Sequence, residues 1–175
     1  MIYNVAQLLK SPVGTTMDVE LDNEDPLALH DEEAQLAGPI TGHVRLHHTN
    51  QGIYAEGTAY VPVHLECARC LSDFTTTLAL PLREEYYPTI DVDTGLPVRE
   101  SASESAFPID AHHQVDLREA IRQNLVVNLP TQALCREECQ GLCAVCGRDL
   151  NAEPHTHPEE TGDERFASLR GLFDQ

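Results

Sequence analysis

The sequence predicts an α+β fold: an antiparallel β-sheet or partial barrel, then C-terminal helices and a cysteine-rich loop. Three observations carry this. Between Ile40 and Leu82 the chain alternates with period two, as in Val61, Val63 and Leu65 against Pro62, His64 and Glu66, and again in Phe74, Thr76, Leu78, Leu80 and Leu82. That pattern marks strands with one buried and one wet face. From Leu117 the period becomes helical, with Leu117, Ala120, Ile121, Asn124 and Leu125 on one face. Four of the six cysteines then fall between Cys135 and Cys146.

The chain's 175 residues fit a single domain of ordinary size. Residues 1–38 are expected as a short helix, a strand and an acidic loop packed on that same domain. Residues 39–175 are expected as one α+β domain with a mobile loop at 88–106 and a metal loop at 135–147. With four Phe, five Tyr and no Trp, the core is expected to be built of Leu and Val.

Taken in order, Asn4 is a cap for a short helix over Val5–Leu9, which Pro12-Val13-Gly14 ends. Thr15–Leu21 alternates weakly and predicts a strand. The acidic residues around Pro26 read as a solvated loop. Strands over Ile40–His48 and Ile53–Glu66 are joined by a turn at Asn50-Gln51-Gly52. Pro62 and Pro81 cannot donate to a ladder, so each must sit at an edge or a bulge. Cys67 and Cys70 lie between two alternating runs, at the tip of a hairpin. Residues 88–106 carry prolines, acids and a serine run, the signals of a loop. Phe107–Asp110 predicts a last short strand. Asp116 with Glu119 has the form of a capping box, and Val115 can staple to Ala120. Leu129-Pro130 stops that helix. Thr161-Gly162-Asp163-Glu164 predicts a final helix with Phe166, Leu169, Leu172 and Phe173 as its apolar side.

The net charge is −18, and the basic residues are one lysine and ten arginines. Such a chain is repelled from phosphate at long range, which argues against a general nucleic-acid binder. It favours a basic protein partner, or an RNA site already neutralised by other proteins. A local arginine patch (Arg69, Arg118, Arg122, Arg136, Arg148) is the route to direct RNA contact. No apolar run approaches a membrane span, and Met1–Gln7 lacks the basic start of a signal peptide. The chain therefore reads as cytoplasmic, where thiols stay reduced and the cysteines serve as metal ligands rather than disulfides.

Three metal arrangements compete. The first closes locally on Cys135, Cys139, Cys143 and Cys146, whose spacing is C-x3-C-x3-C-x2-C. The second pairs Cys67 and Cys70 with Cys143 and Cys146 as a two-knuckle zinc ribbon. In the third, His155 or His157 replaces one thiolate. A site of four thiolates has no open position, so its zinc is structural rather than catalytic. The C-x3-C-x2-C spacing at Cys139 also matches a radical iron–sulfur triad, but too little chain follows it for that barrel. Iron in another form stays open. His47-His48 and His112-His113 read as surface or loop histidines, and Asp91 and Asp93 as solvated carboxylates. No P-loop, G-x-S-x-G or H-E-x-x-H is present. The enzymatic alternative is a dithiol redox protein using Cys67 and Cys70, with Arg69 favouring the thiolate.

Cys67-Ala68-Arg69-Cys70-Leu71 ahead of an alternating strand resembles a C-x-R-C-L motif. Asn128-Leu129-Pro130, Leu134-Cys135, the run Cys139-Gln140-Gly141-Leu142-Cys143-Ala144-Val145-Cys146-Gly147 and Asp149-Leu150-Asn151 resemble an L-P…L-C…C-x-G-L-C-x-x-C-G…L-N signature. Asp163–Leu169 resembles a closing D-P-R-x-x-x-L segment, with Glu164 where proline is usual. Together these resemble the YceD-like family, the large ribosomal RNA subunit accumulation proteins, from about residue 40 to the end. The resemblance implies a cytoplasmic, non-enzymatic ribosome biogenesis factor supporting accumulation of large-subunit ribosomal RNA. Its expected partners are that RNA or a basic large-subunit ribosomal protein, with no membrane and no small-molecule substrate.

Overall fold

The computed structural model describes residues 1–23, 35–98 and 106–158. The expected final helix, most of the acidic loop and residues 99–105 lie outside the described residues. Among the described residues the fold is α+β, mostly sheet with two helices. Its centre is an antiparallel meander: β2 (Thr16–Asn23) pairs with β4 (Ile40–His48), β4 with β5 (Ile53–Glu66), and β5 with β6 (Asp73–Pro88). The short β3 (Gln35–Leu36) pairs with β5 beyond the end of β4. The period-two residues point as expected: Val44, Leu46, Ala59, Val61, Val63, Leu80 and Leu82 are fully buried, while Glu56, His64 and Glu66 face solvent.

Both prolines sit where a missing N–H is harmless. Pro62 O accepts the Ala37 N–H at 2.9 Å. In an antiparallel ladder a residue's N and O point to the same side. The Pro62 nitrogen therefore faces the gap between β4, whose pairing with β5 ends at Tyr60, and β3. Pro81 lies on β6, which has a strand on one side only until Tyr86.

Helix α1 (Ala6–Lys10) starts one residue later than a cap at Asn4 requires: its N-cap is Val5, without a side-chain cap bond, and Asn4 Oδ1 accepts the Ala6 N–H at 3.1 Å from just outside the helix. Helix α2 (Arg118–Asn128) packs on β6 and buries Ala120, Ile121 and Leu125. Leu117, just before it, is also buried. Asn124, the polar member of that face, donates to Glu84 Oε1 at 2.8 Å.

Three other local features differ from the sequence reading. β1 (Ile2–Asn4) and β8 (Gln114–Asp116) form a two-stranded antiparallel sheet, so Val115 and Asp116 end a strand. The start of α2 is therefore one residue later than a cap at Asp116 requires. Asp116 still accepts the Arg118 N–H at 3.0 Å, while Glu119 turns to Arg122 and Gln123 instead of closing a capping box. β7 (Phe107–Ile109) pairs with β6 in parallel, against an otherwise antiparallel sheet. Residues 89–98 fold back on themselves: Val98 N donates to Thr89 O, and Asp91 accepts the N–H groups of Asp93 and Thr94.

Leu125 has no exposed surface and joins the helix to the sheet. Leu125→Ala is expected to cost about 2–5 kcal/mol in urea unfolding. A loss below about 1 kcal/mol would mean that α2 is not part of the core.

Candidate metal centre

The β5–β6 hairpin is unusually long, and its tip carries the first cysteine pair. Cys67 N donates to Ser72 O, and Leu71 N donates back to Cys67 O, each at 2.9 Å. This turn puts Leu71 at φ +58°, a left-handed conformation rare for a bulky residue. Peptide N–H groups surround the Cys67 sulfur. Those of Cys135 and Cys70 hold its thiol down to about 6.

The chain after α2 is laid against this tip by main-chain contacts. Ala68 N donates to Ala133 O at 2.8 Å, and Leu142 N to Arg69 O at 3.0 Å. The Arg69 side chain reaches the other way and donates to Cys139 O at 2.9 Å. Gly141 is at φ +74°, and a Cβ there would meet Arg69 O at 2.9 Å, so only glycine allows the approach.

These contacts gather Cys67, Cys70, Cys135 and Cys139 with their sulfurs all within 4.8 Å of one another. Cys67–Cys139 and Cys70–Cys135 are each 3.8 Å apart. A tetrahedron with metal–sulfur bonds of about 2.3 Å has sulfur–sulfur edges of about 3.8 Å. Burial, and then the neighbouring sulfurs, push the Cys135 thiol up to about 12. Burial also opposes ionisation of Cys139, yet the Asn151 amide and the Gly141 N–H hold it below its ordinary value. Asn151 Nδ2 points at that sulfur from 3.4 Å, while its Oδ1 accepts the Gln140 N–H at 2.8 Å. Ser72 Oγ lies 2.9 Å from Cys70 Sγ. The group has the donor set and spacing to hold a metal ion, and four thiolates would leave no position on it for a substrate.

Cys143 and Cys146 belong to a different group. The chain from Gly141 to Leu150 is a small hairpin, closed by Leu142 pairing with Asp149, Cys143 N donating to Arg148 O and Leu150 N to Gly141 O. Gly147 N donates to Cys143 O at 2.8 Å with Gly147 at φ +70°, the same turn as at Leu71. The Cys146 and Val145 N–H groups hold the Cys143 thiol down to about 6. His155 and His157 come back to this turn, and the four ligand atoms lie within 4.8 Å of one another.

The structure thus divides the expected site residues. It does not bring Cys135, Cys139, Cys143 and Cys146 into one group, nor Cys67, Cys70, Cys143 and Cys146. The hairpin from Gly141 turns the last pair away, and Arg69 docks Cys135 and Cys139 on the first pair. Of the arginines expected to form a patch, Arg118 engages Asp116, Arg122 engages Glu119, Arg148 reaches Glu153 and Arg69 holds the loop at Cys139. Arg136 is exposed beside Cys135. Ser72 went unnoticed in the sequence, and Asn151 was quoted there only as part of the motif signature, without a role at the sulfurs. The signal available was only their adjacency to the cysteine motifs.

A family model described as "Large ribosomal RNA subunit accumulation protein YceD" matches residues 55–173. An uncharacterized protein of Mycobacterium bovis is 32% identical over 127 residues, covering 72% of this chain and 58% of the relative. One of Mycobacterium leprae is 29% identical over 136 residues, covering 77% and 59%. The chain thus spans under two thirds of the length of these relatives. A maize protein named "Large ribosomal RNA subunit accumulation protein YCED homolog 1, chloroplastic" is 28% identical over 67 residues, covering 38% of this chain and 22% of the relative. No solved structure matches.

The grouping predicts that Cys67→Ser and Cys139→Ser each remove one metal ion by native mass spectrometry, and that the double variant removes no more than either. Retention of that ion in Cys67→Ser would restore the local arrangement. Asn151→Ala is expected to weaken binding at this group about 10–100-fold in a chelator competition.

Proposed function

The chain belongs to the YceD family of large ribosomal RNA subunit accumulation proteins, and we propose that it is a non-enzymatic, cytoplasmic factor for large-subunit assembly. It acts by binding, and its metal, zinc at Cys67, Cys70, Cys135 and Cys139, is structural. The family match carries this reading, because the family is described by its role in accumulation of large-subunit ribosomal RNA. Among the described residues no helix is long and apolar enough to cross a membrane.

Two partners fit that role, the RNA itself and a basic large-subunit ribosomal protein. The net charge of −18 favours the protein, since like charge slows approach to phosphate and unlike charge speeds approach to a basic surface. Arginine engagement points the same way. Arg69, Arg118, Arg122 and Arg148 already have carboxylate or carbonyl partners in this chain, and contact with phosphate must compete with these.

The dithiol alternative uses the same Cys67 and Cys70. Against it, each of these sulfurs has a second cysteine 3.8 Å away from the loop after α2. A pair committed to a four-sulfur group has no exposed thiolate to offer a substrate disulfide.

In RNA-free solution the chain is expected to bind a basic large-subunit ribosomal protein, with affinity falling steeply as salt rises. Binding to naked large-subunit RNA alone would reverse the choice of partner. Binding to neither would remove the direct-binding reading. With metal bound, Cys67 and Cys70 are expected to alkylate slowly and to become fast after chelation. Fast labelling of the metal-bound protein would favour the redox alternative.

A further inference from the structure

We propose that Cys143, Cys146, His155 and His157 form a second metal site, separate from the four-sulfur group, which takes a borderline divalent cation of the zinc type. The ion would tie the segment after Leu150 to the Cys143–Cys146 turn. The sequence reading placed Cys143 and Cys146 around a single ion with other cysteines, and offered His155 or His157 only in place of one thiolate. The structure instead presents two complete sets of four ligand atoms, each set within 4.8 Å, with no residue shared.

The donor set selects the class of ion. Two thiolates and two imidazoles suit zinc and its neighbours, and no carboxylate or carbonyl oxygen completes the set as magnesium or calcium would require. The first coordination partners are already oriented. His155 Nδ1–H donates to Glu153 O at 2.7 Å, which leaves Nε2 as the lone-pair nitrogen, and that atom lies 3.1 Å from Cys146 Sγ. A backbone carbonyl on the far nitrogen is the usual device that fixes the tautomer of a metal-bound histidine. The His155 and His157 rings meet edge to face with centroids 5.0 Å apart, so both converge on the same point.

The turn itself is a copy of the one at the β5–β6 tip. In each, the N–H after the second cysteine bonds back to the carbonyl of the first, at 2.9 Å from Leu71 and 2.8 Å from Gly147, with the donor at positive φ. One such turn serves the four-sulfur group, and its duplicate has no comparable sulfur partners, only the two histidines. Residues 151–158 have no helix or strand of their own. Their first residues are held by Asn151, which contacts Gln140 and Cys139, by Ala152 N and Glu153 N, both donating to Asp149 O, and by the Arg148–Glu153 ion pair; beyond Glu153 the convergence of the two histidines on the turn holds the segment. Binding would displace the protons of the two thiols and leave the imidazoles neutral.

The test uses the full chain loaded with excess zinc and then freed of unbound metal. Native mass spectrometry should find two ions in the unaltered chain and one in the His155→Ala/His157→Ala double variant. With cobalt in place of zinc, thiolate-to-metal absorption should fall by about a third in that variant, since bound thiolates drop from six to four. Amide exchange should quicken across residues 152–158 and stay unchanged in β5 and β6. One ion in the unaltered chain overturns the proposal, as does a double variant that keeps both. Loss of both ions from the variant would overturn the independence of the two sites. None of these results depends on which ribosomal partner the chain binds.

Discussion

Four sulfurs within 4.8 Å of one another cannot all ionise unless a cation lies among them. The fold around them follows from that constraint. Without the cation the group is electrostatically divided, with Cys67 held at about 6 by peptide N–H groups while Cys135 is pushed to about 12. A cation there would make all four ligands and would tie the hairpin tip to the loop after α2 across 72 residues of sequence. A structural zinc contributes on the order of 10 kcal/mol, as much as the whole stability of many domains. The Arg69 bonds to Cys139 and Leu142, and the close approach of Gly141, carry that attachment from the metal group to the second turn.

Most of the sheet was legible in the sequence because its order is local. Val61, Val63 and Leu65 alternate with polar residues, and a meander pairs neighbours in the chain, so each strand's burial was written beside it. Helix α2 was legible for the same reason, through the spacing of Leu117, Ala120, Ile121 and Leu125. The two-stranded β1–β8 sheet was not, since three-residue strands are too short to show a period and pair across more than a hundred residues. The division of the cysteines failed for a related reason. Spacing along Cys135–Cys146 suggests one wrapped ion, and nothing local reveals that Arg69 pulls the first half to the β5–β6 tip while a hairpin folds the second half toward His155.

Charge and the packing of the arginines together shape what this surface can meet. The wet face of the sheet carries a crossing row, Asp18, Arg45, Glu56 and Arg83, paired in register across four strands. Arg45 donates to Asp18 at 2.7 Å, so even here a cation is matched within the chain. Such surface pairs contribute little stability, but they leave the excess of acid as the field seen from outside. A partner drawn by that field would be cationic, and the arginines near the cysteines would serve the fold first.

The 72-residue separation between Cys67 and Cys139 also sets an order in time. At ordinary synthesis rates the second half of the group leaves the ribosome about 4–14 s after the first. During that interval the β5–β6 hairpin can form, since its contacts are local, but its tip presents two thiols with no partners. A metal ion caught then would sit in half a site, open to exchange with any other thiol nearby. Until Cys135 and Cys139 follow, the thiols of Cys67 and Cys70 would lack the two sulfurs that stand 3.8 Å from them in the folded chain.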